Sequence, residues 1–172
     1  MDQLSMSSAR LRSETIAARD RRQELLEGRL SGGYPATVFL SLNIPGAEKN
    51  PPGASALFSW VLRRLLDEFP DAENLVRSSD TLGPYAVISL HRESVGVKRR
   101  CIAIETAQPY ARLVDLDVFD GSGRQVGRAA LGLLPRSCLV CDLPAVECIR
   151  LRRHAAGEVK GRADELLAFC RD

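Results

Sequence analysis

Residues 112–118, with the sequence RLVDLDV, place two aspartates two positions apart in an otherwise apolar run. Side chains alternate between the two faces of a β-strand, so we expect Asp115 and Asp117 on one face and the valine and leucine side chains in the core. Two neighbouring carboxylates repel each other unless a cation lies between them, and Mg²⁺ is commonly held by carboxylates and substrate phosphates. The pattern predicts metal-dependent phosphoryl or nucleotidyl transfer, with a solvated strand face as the alternative.

Length and composition predict one domain. The chain has 172 residues, of which 45% are hydrophobic and 27% are charged, an ordinary globular composition. We expect a single domain over residues 1–172, in which residues 1–12 are a flexible extension and residues 132–172 are a cysteine-containing loop followed by helices. No window reaches the ~18 apolar residues of a membrane span, and residues 1–30 lack the apolar core of a signal peptide. A cytoplasmic protein is therefore expected.

Hydrophobic periodicity predicts an α+β or α/β fold. Helices are predicted at residues 8–30, 55–69, 95–106, 144–154 and 158–170, and strands at residues 37–43, 85–90, 112–119 and 124–131. The turn sequence at residues 120–123, DGSG, indicates that the last strand returns antiparallel to the third. These elements predict a small mixed sheet of about four strands with flanking helices and a helical C-terminal tail.

The C-terminal third contains four soft metal ligands in the order C-x₂-C-x₆-C-x₅-H: Cys138, Cys141, Cys148 and His154. Thiolate and imidazole groups suit tetrahedral zinc, so this order predicts a small structural zinc site. A continuous helix over residues 144–154 would argue against it, because positions six apart lie nearly opposite each other on a helix. Free thiols and a redox-active Cys138/Cys141 pair are the alternatives.

Basic residues surround these elements and are candidates for binding phosphate. Lys49 follows the loop Asn43-Ile44-Pro45-Gly46, where exposed backbone amides and a lysine could hold an anion, although a rigid turn with a solvated lysine is the alternative. The other candidates are Arg112, Arg128 and Arg136. A formal net charge of +2 and 5% aromatic residues make a nucleic-acid surface less favoured than a polyphosphate substrate.

Several of these motifs follow one another in an order and spacing that resembles a known family. The residues that carry the resemblance are Asn43 to Gly46, Lys49, Lys98, Ile104-Glu105, residues 112–118, Arg128, Arg136, Cys138, Cys141, Cys148 and His154. Together they resemble the apo-citrate lyase phosphoribosyl-dephospho-CoA transferases, also called holo-citrate lyase synthases or holo-ACP synthases of citrate lyase. The resemblance covers residues 19–169.

The resemblance implies a nucleotidyltransferase-like fold and a nucleotidyltransferase-type reaction. Such an enzyme transfers the phosphoribosyl-dephospho-CoA prosthetic group from triphosphoribosyl-dephospho-CoA to a serine of the apo acyl-carrier (gamma) subunit of citrate lyase, releasing pyrophosphate. By this analogy Asp115 and Asp117 would be catalytic and would hold Mg²⁺. The phosphates of the substrate would contact Lys49, Arg112, Arg128 and Arg136.

Two alternatives remain open on the sequence. The same chemistry could act on the related carrier of malonate decarboxylase. A protein of a different class, a non-enzymatic zinc-binding adaptor or nucleic-acid-binding module, would instead use the region from Cys138 to His154 as its interaction surface.

Overall fold

The computed structural model describes residues 3–170. Its four-stranded sheet has the order β2-β3-β1-β4, and the described residues also form five α-helices. The strands are β1 (Ala36–Leu42), β2 (Glu73–Asp80), β3 (Gly83–Leu90) and β4 (Val114–Asp120). The helices are α1 (Gln3–Leu30), α2 (Ala54–Glu68), α3 (Ser94–Thr106), α4 (Ala145–Arg150) and α5 (Ala156–Ala168). The fold is therefore α+β, as predicted, with about four strands and a helical C-terminal tail.

The sheet is antiparallel in every pairing rather than mixed. β1 lies at its centre and runs opposite to both β3 and β4, and β2 runs opposite to β3. Strands that point the same way are thus separated by one that points the other way. The expectation of a mixed sheet was wrong because it omitted β2, which reverses the chain direction before β3.

β1 has a buried core face because its side chains alternate. Val38 and Leu40 are fully buried in the main hydrophobic cluster, together with apolar residues of α2 such as Leu57 and Phe58. Leu116 of β4 lies directly opposite Leu40 in the register and joins the same cluster. Burial of this continuous apolar face is the main stabilising contribution to the fold.

The opposite face of the sheet is partly covered by α1. Arg22 of α1 forms a bidentate ion pair with Asp80, at 2.7 and 2.9 Å, and its guanidinium lies 4.3 Å from the centre of the Tyr85 ring. Tyr85 stacks on Phe39 of β1, with ring centres 5.7 Å apart. These contacts hold α1 over β3, so the β4 side of this face stays more open.

The fourth predicted strand, residues 124–131, is wrong. The chain does turn back after β4, since the Val126 amide donates to the Val118 carbonyl at 2.7 Å and Phe119 forms a bridge with Gln125. After Val126 the chain leaves the sheet, and a 3₁₀ turn occupies Arg128–Leu131. The strand that prediction missed is β2, which is almost entirely exposed and so lacks the apolar alternation of a buried strand.

The N-terminal helix is longer than predicted, because it begins at Gln3 and not near residue 8. Residues 3–12 of the proposed extension are therefore helical, while residues 1 and 2 lie outside the described part of the chain. The flexibility of that extension stays a prediction. Among the described residues, no helix is both long enough and apolar enough to cross a membrane.

Candidate functional site

Asp115 and Asp117 share one face of β4, as the alternation predicts. Their side chains are part-buried, whereas Val114, Leu116 and Val118 between and beside them are fully buried on the core face. The carboxylates therefore lie on the face away from the core, and each faces a residue of β1 across the antiparallel register.

The environment of Asp117 opposes its negative charge. Desolvation by burial, followed by repulsion from Asp115, raises the pKa of Asp117 to about 6, although the Lys98 ammonium and a hydrogen bond from Gln125 act in the other direction. Gln125 Nε2 donates to Asp117 Oδ1 at 2.5 Å. Two neighbouring carboxylates, of which Asp117 resists ionisation, suit a divalent cation, whose charge would remove the repulsion. The pair therefore fits the expected Mg²⁺ on its donor chemistry.

Glu105 of α3 is a buried carboxylate that links the sheet to two of the predicted phosphate-binding arginines. Its Oε1 lies 2.7 Å from Arg136 Nη2 and accepts a hydrogen bond from the Leu116 amide at 2.9 Å. Its Oε2 lies 3.5 Å from Arg128 Nη2 and accepts no hydrogen bond from the described residues. One buried negative charge thus positions both guanidinium groups.

Arg136 connects this buried carboxylate to the aspartate pair. Its Nη2 also lies 3.4 Å from Asp115 Oδ1, and its Nη1 donates to the Val114 carbonyl at 3.0 Å. Because both bonds involve β4, the guanidinium is fixed relative to the strand that carries Asp115 and Asp117. It is well placed to contribute positive charge next to them.

Lys98 of α3, which the sequence analysis named only as part of the resemblance, is buried. Its ammonium donates to the Leu116 carbonyl at 2.6 Å, while Glu105, two turns further along α3, accepts from the Leu116 amide. The two charged side chains therefore satisfy both backbone groups of one residue of β4.

A large pocket of about 1350 Å³ adjoins the arginines. Arg112, Arg128 and Arg136 line it together with Glu105, and apolar residues such as Leu134 form another part of its wall. A pocket that combines guanidinium groups with apolar surface suits a ligand that has both anionic and apolar parts.

Arg112 contributes to the pocket through the cysteine-containing loop. Its Nη2 donates to the Ser137 carbonyl at 3.0 Å and also to the Cys138 carbonyl. It therefore anchors the start of the loop, and its positive charge faces the same pocket as that of Arg136.

Lys49 is separate from the pocket wall. Its ammonium donates to the Ile44 carbonyl at 2.6 Å, and desolvation, followed by the charge of Arg19 on α1, lowers the pKa of Lys49. The structure thus brings three of the four predicted phosphate ligands together and leaves Lys49 beside α1.

The four soft ligands converge. One ligand atom from each of Cys138, Cys141, Cys148 and His154 lies within 4.8 Å of all the others. Cys141 Sγ lies 3.5 Å from Cys148 Sγ and 3.3 Å from His154 Nε2. We call these four residues the cysteine cluster.

The continuous helix predicted over residues 144–154 was wrong, and this difference is what allows the cluster to form. α4 ends at Arg150, and Arg152 adopts a left-handed conformation with φ 46°. The Arg153 amide bonds the Cys148 carbonyl at 3.0 Å and the Arg152 amide bonds the Ile149 carbonyl at 3.2 Å. This is a Schellman ending, and it turns His154 back towards Cys141.

The thiols of the cluster have unlike acidities. Desolvation raises the pKa of Cys138, but hydrogen bonds from the backbone amides of Val140 and Cys141 and from neighbouring thiols outweigh it and lower the pKa to about 7. Desolvation and hydrogen bonding to Cys141 and Cys138 raise the pKa of Cys148 to about 11. The thiol of Cys138 therefore holds its proton much more weakly than the thiol of Cys148.

The fold and site define a small α+β protein in which two strand-borne carboxylates lie beside an arginine-lined pocket. The chain belongs to the family of apo-citrate lyase phosphoribosyl-dephospho-CoA transferases, whose pattern matches residues 11–169.

Individual relatives agree with this membership. A protein of Streptococcus pyogenes serotype M18, named as a probable apo-citrate lyase phosphoribosyl-dephospho-CoA transferase, is 32% identical over 162 residues, covering 90% of this chain and 84% of the relative. A protein of Citrobacter koseri, named as an apo-citrate lyase phosphoribosyl-dephospho-CoA transferase, is 28% identical over 158 residues. The match covers 90% of this chain and 86% of the relative. A probable transferase of Vibrio cholerae serotype O1 is 35% identical and covers 75% of each chain.

Sequence reasoning did not assign Glu105 a place in the site. It noted the Ile104-Glu105 pair only as part of the resemblance. The available signal was a carboxylate next to an isoleucine on the buried side of a helix, because a charge in such a position is retained only with partners.

Proposed function

We propose that this protein transfers the phosphoribosyl-dephospho-CoA group from triphosphoribosyl-dephospho-CoA to a serine of the apo acyl-carrier subunit of citrate lyase. The reaction is of the nucleotidyltransferase type. The serine oxygen forms a bond to the phosphorus nearest the ribose, the bond from that phosphorus to the pyrophosphate oxygen breaks, and the serine loses its proton. Pyrophosphate is the leaving group.

The observation that carries the proposal is the connection between the aspartate pair and the pocket. Arg136 lines the pocket and also lies 3.4 Å from Asp115, so the two parts of the site are neighbours. A triphosphate needs positive charge along its length, while the adenosine and pantetheine parts of the substrate need a roomy, partly apolar cavity. Family membership supports the same substrate.

The residues have distinct parts in this proposal. Arg112, Arg128 and Arg136 bind the phosphates in the pocket and stabilise the charge that develops on the leaving pyrophosphate. Asp115 and Asp117 would hold Mg²⁺, which would supply positive charge to offset the negative charge of the triphosphate as the hydroxyl approaches. Lys49 offers a further cation near α1, where it would meet a phosphate only if the substrate extends out of the pocket.

The test is intact-mass spectrometry of the apo carrier subunit after incubation with this protein, Mg²⁺ and triphosphoribosyl-dephospho-CoA. We expect a mass increase equal to one phosphoribosyl-dephospho-CoA group and its loss in EDTA. Either substitution, Asp115→Asn or Asp117→Asn, should abolish this increase in the mass of the carrier. Asp71→Asn is the matched control, because Asp71 is an exposed carboxylate that pairs with Arg92 and is not one of the residues that form the site.

Other results would assign a different function. An unmodified citrate lyase carrier together with a modified malonate decarboxylase carrier would retain the chemistry and change the partner. Folded Asp115→Asn and Asp117→Asn proteins with full activity would remove the aspartates from the mechanism. A carrier complex that forms without modification and regardless of Mg²⁺ would indicate a binding protein.

A further inference from the structure

The cysteine cluster has a geometry that its hydrogen bonds alone do not explain. Zinc bonds of about 2.3 Å to sulfur and about 2.0 Å to nitrogen place tetrahedral ligand atoms about 3.5–3.8 Å apart. The Cys141–Cys148 separation of 3.5 Å and the Cys141–His154 separation of 3.3 Å lie close to those edges. Four ligand atoms within 4.8 Å of one another can close on one ion with small side-chain movements.

The imidazole of His154 is oriented as a metal-bound histidine usually is. Its Nε2 faces Cys141 Sγ, and its Nδ1 lies 3.4 Å from Glu158 Oε2 in the first turn of α5. A carboxylate on the far ring nitrogen fixes the tautomer and makes the other nitrogen a better ligand. The side chain is thus held from both sides, with its Nε2 available to the cluster.

The backbone around the first cysteines forms a tight closed loop. The Cys138 amide donates to the Leu143 carbonyl at 2.6 Å, and the Ala145 amide donates to the Arg136 carbonyl at 2.8 Å. Inside this loop the Val140 amide points at Cys138 Sγ, at 3.5 Å. A sulfur that accepts an N–H bond is stabilised as the thiolate, which is the form that binds metal.

This part of the chain has almost no apolar core of its own. Within residues 132–154, all of which the structure describes, the buried residues are Cys138 and Cys148. Several of its apolar side chains, including Leu134 and Ile149, are well exposed. A segment with so little apolar burial needs another source of stability, and a metal ion bound by the folded form provides one.

We propose that Cys138, Cys141, Cys148 and His154 bind one structural zinc ion, which fixes residues 136–154 against the rest of the fold. Three sulfurs and one imidazole favour zinc over magnesium or calcium, which prefer oxygen. The four protein ligands complete a tetrahedron and leave no position for substrate, so the ion is structural. The proposal does not depend on the reaction assigned above.

A disulfide between two of these cysteines is the competing state. Its formation would require a two-electron oxidant and would remove two hydrogens from the thiols, and it would leave the other two ligands without a common partner. The convergence of all four groups therefore favours the metal. The two states differ in mass, in metal content and in their response to a reductant, so one preparation distinguishes them.

The first test is the metal content of the full chain purified without chelators, under reducing conditions, and measured by inductively coupled plasma mass spectrometry. We expect one zinc ion per chain. Cys141→Ser and His154→Ala should lose the ion, while His154→Cys should retain it, because a fourth thiolate can replace the imidazole. Cys170→Ser is the matched control, because Cys170 lies in the C-terminal tail outside the cluster.

A second measurement covers the case in which the variants do not fold. Wild-type protein stripped of metal and refilled with Co²⁺ should show thiolate-to-cobalt charge-transfer absorption and the intense visible bands of a tetrahedral site. Its thermal midpoint should fall on stripping and recover with Zn²⁺. A folded, reduced protein without stoichiometric metal and without cobalt spectra would overturn the proposal, as would a mass two hydrogens lighter from a disulfide within the cluster.

Discussion

Arg136 Nη2 lies 2.7 Å from Glu105 Oε1, so an arginine at the start of the cysteine-containing loop is held by a buried carboxylate of α3. The same guanidinium reaches Asp115 on β4. Three segments that are distant in sequence, a helix, a strand and a loop, therefore meet at one side chain. The position of this positive charge depends on all three.

Glu105→Gln tests this arrangement. Glutamine can still accept from the Leu116 amide, but it leaves Arg128 and Arg136 without their buried counter-charge. Removing one partner of a buried ion pair costs roughly 3–5 kcal/mol, and because both arginines are partly exposed we expect about 2 kcal/mol here. Urea denaturation measures the loss, and under the proposed function the KM for triphosphoribosyl-dephospho-CoA should rise more than kcat falls.

Glu68→Gln is the control for that change, because Glu68 pairs with the exposed Arg100 on the surface. Its free energy of unfolding should change by less than about 0.5 kcal/mol. Equal losses for the two variants would show that Glu105 is no more than an ordinary helix residue.

Asp117→Asn should stabilise the metal-free protein at neutral pH while it abolishes transfer. The pKa of Asp117 is raised to about 6 in the folded protein, above the unfolded value of about 3.9. The folded state therefore binds this proton more tightly, and ionisation at neutral pH costs up to about 3 kcal/mol that asparagine removes. Thermal melts at pH 7 should show the gain.

The gain should shrink as the pH falls through about 6 and vanish only well below the unfolded pKa of about 3.9, where Asp117 is protonated in both states. Asp71→Asn should show no such gain, because the hydrogen bond from Arg92 lowers the pKa of Asp71. A destabilised Asp117→Asn protein at pH 7 without metal would contradict this account of the aspartate pair.

If Asp117 holds Mg²⁺ as proposed, the rate of transfer should fall as the pH drops through about 6, because a protonated Asp117 would no longer bind the ion. Protons and metal compete for the same carboxylate, so a higher Mg²⁺ concentration should move the midpoint of the profile to lower pH. Measuring kcat/KM against pH at two Mg²⁺ concentrations checks this. A midpoint that does not respond to Mg²⁺ would assign it to another group.

Gly53→Ala should destabilise the fold. Gly53 precedes α2 with φ 93°, and a Cβ there would lie 2.5 Å from the Leu167 carbonyl oxygen of α5. We expect a loss of roughly 1–3 kcal/mol from backbone strain and the clash. Gly161→Ala within α5 has open space around it and should instead gain up to about 1 kcal/mol, so the two alanines should move urea midpoints in opposite directions.

Much of the fold could be predicted where the pattern of apolar residues is strong. β4 and its outward aspartates follow from strict alternation, and α2 follows from an apolar stripe that the structure buries. β2 could not be found in this way, because an exposed edge strand has no buried face to impose alternation.

The site was predictable in its residue types but less so in its contacts. Glu105 and Lys98 are charges buried by tertiary packing, and helical periodicity alone does not reveal their partners on β4. His154 joins the cysteines through a left-handed turn at Arg152. Glycine would have signalled that turn in the sequence, and an arginine does not.

The two charged side chains of α3 that bind Leu116 have a consequence for how another protein can approach. β4 is an outer strand of the sheet, yet both backbone groups of Leu116 are occupied by Lys98 and Glu105, and the Val114 carbonyl by Arg136. No incoming chain can extend the sheet by hydrogen bonding beside β4. Under the proposed function, the carrier subunit would present its serine over the open face of the strand, where Asp115 and Asp117 project.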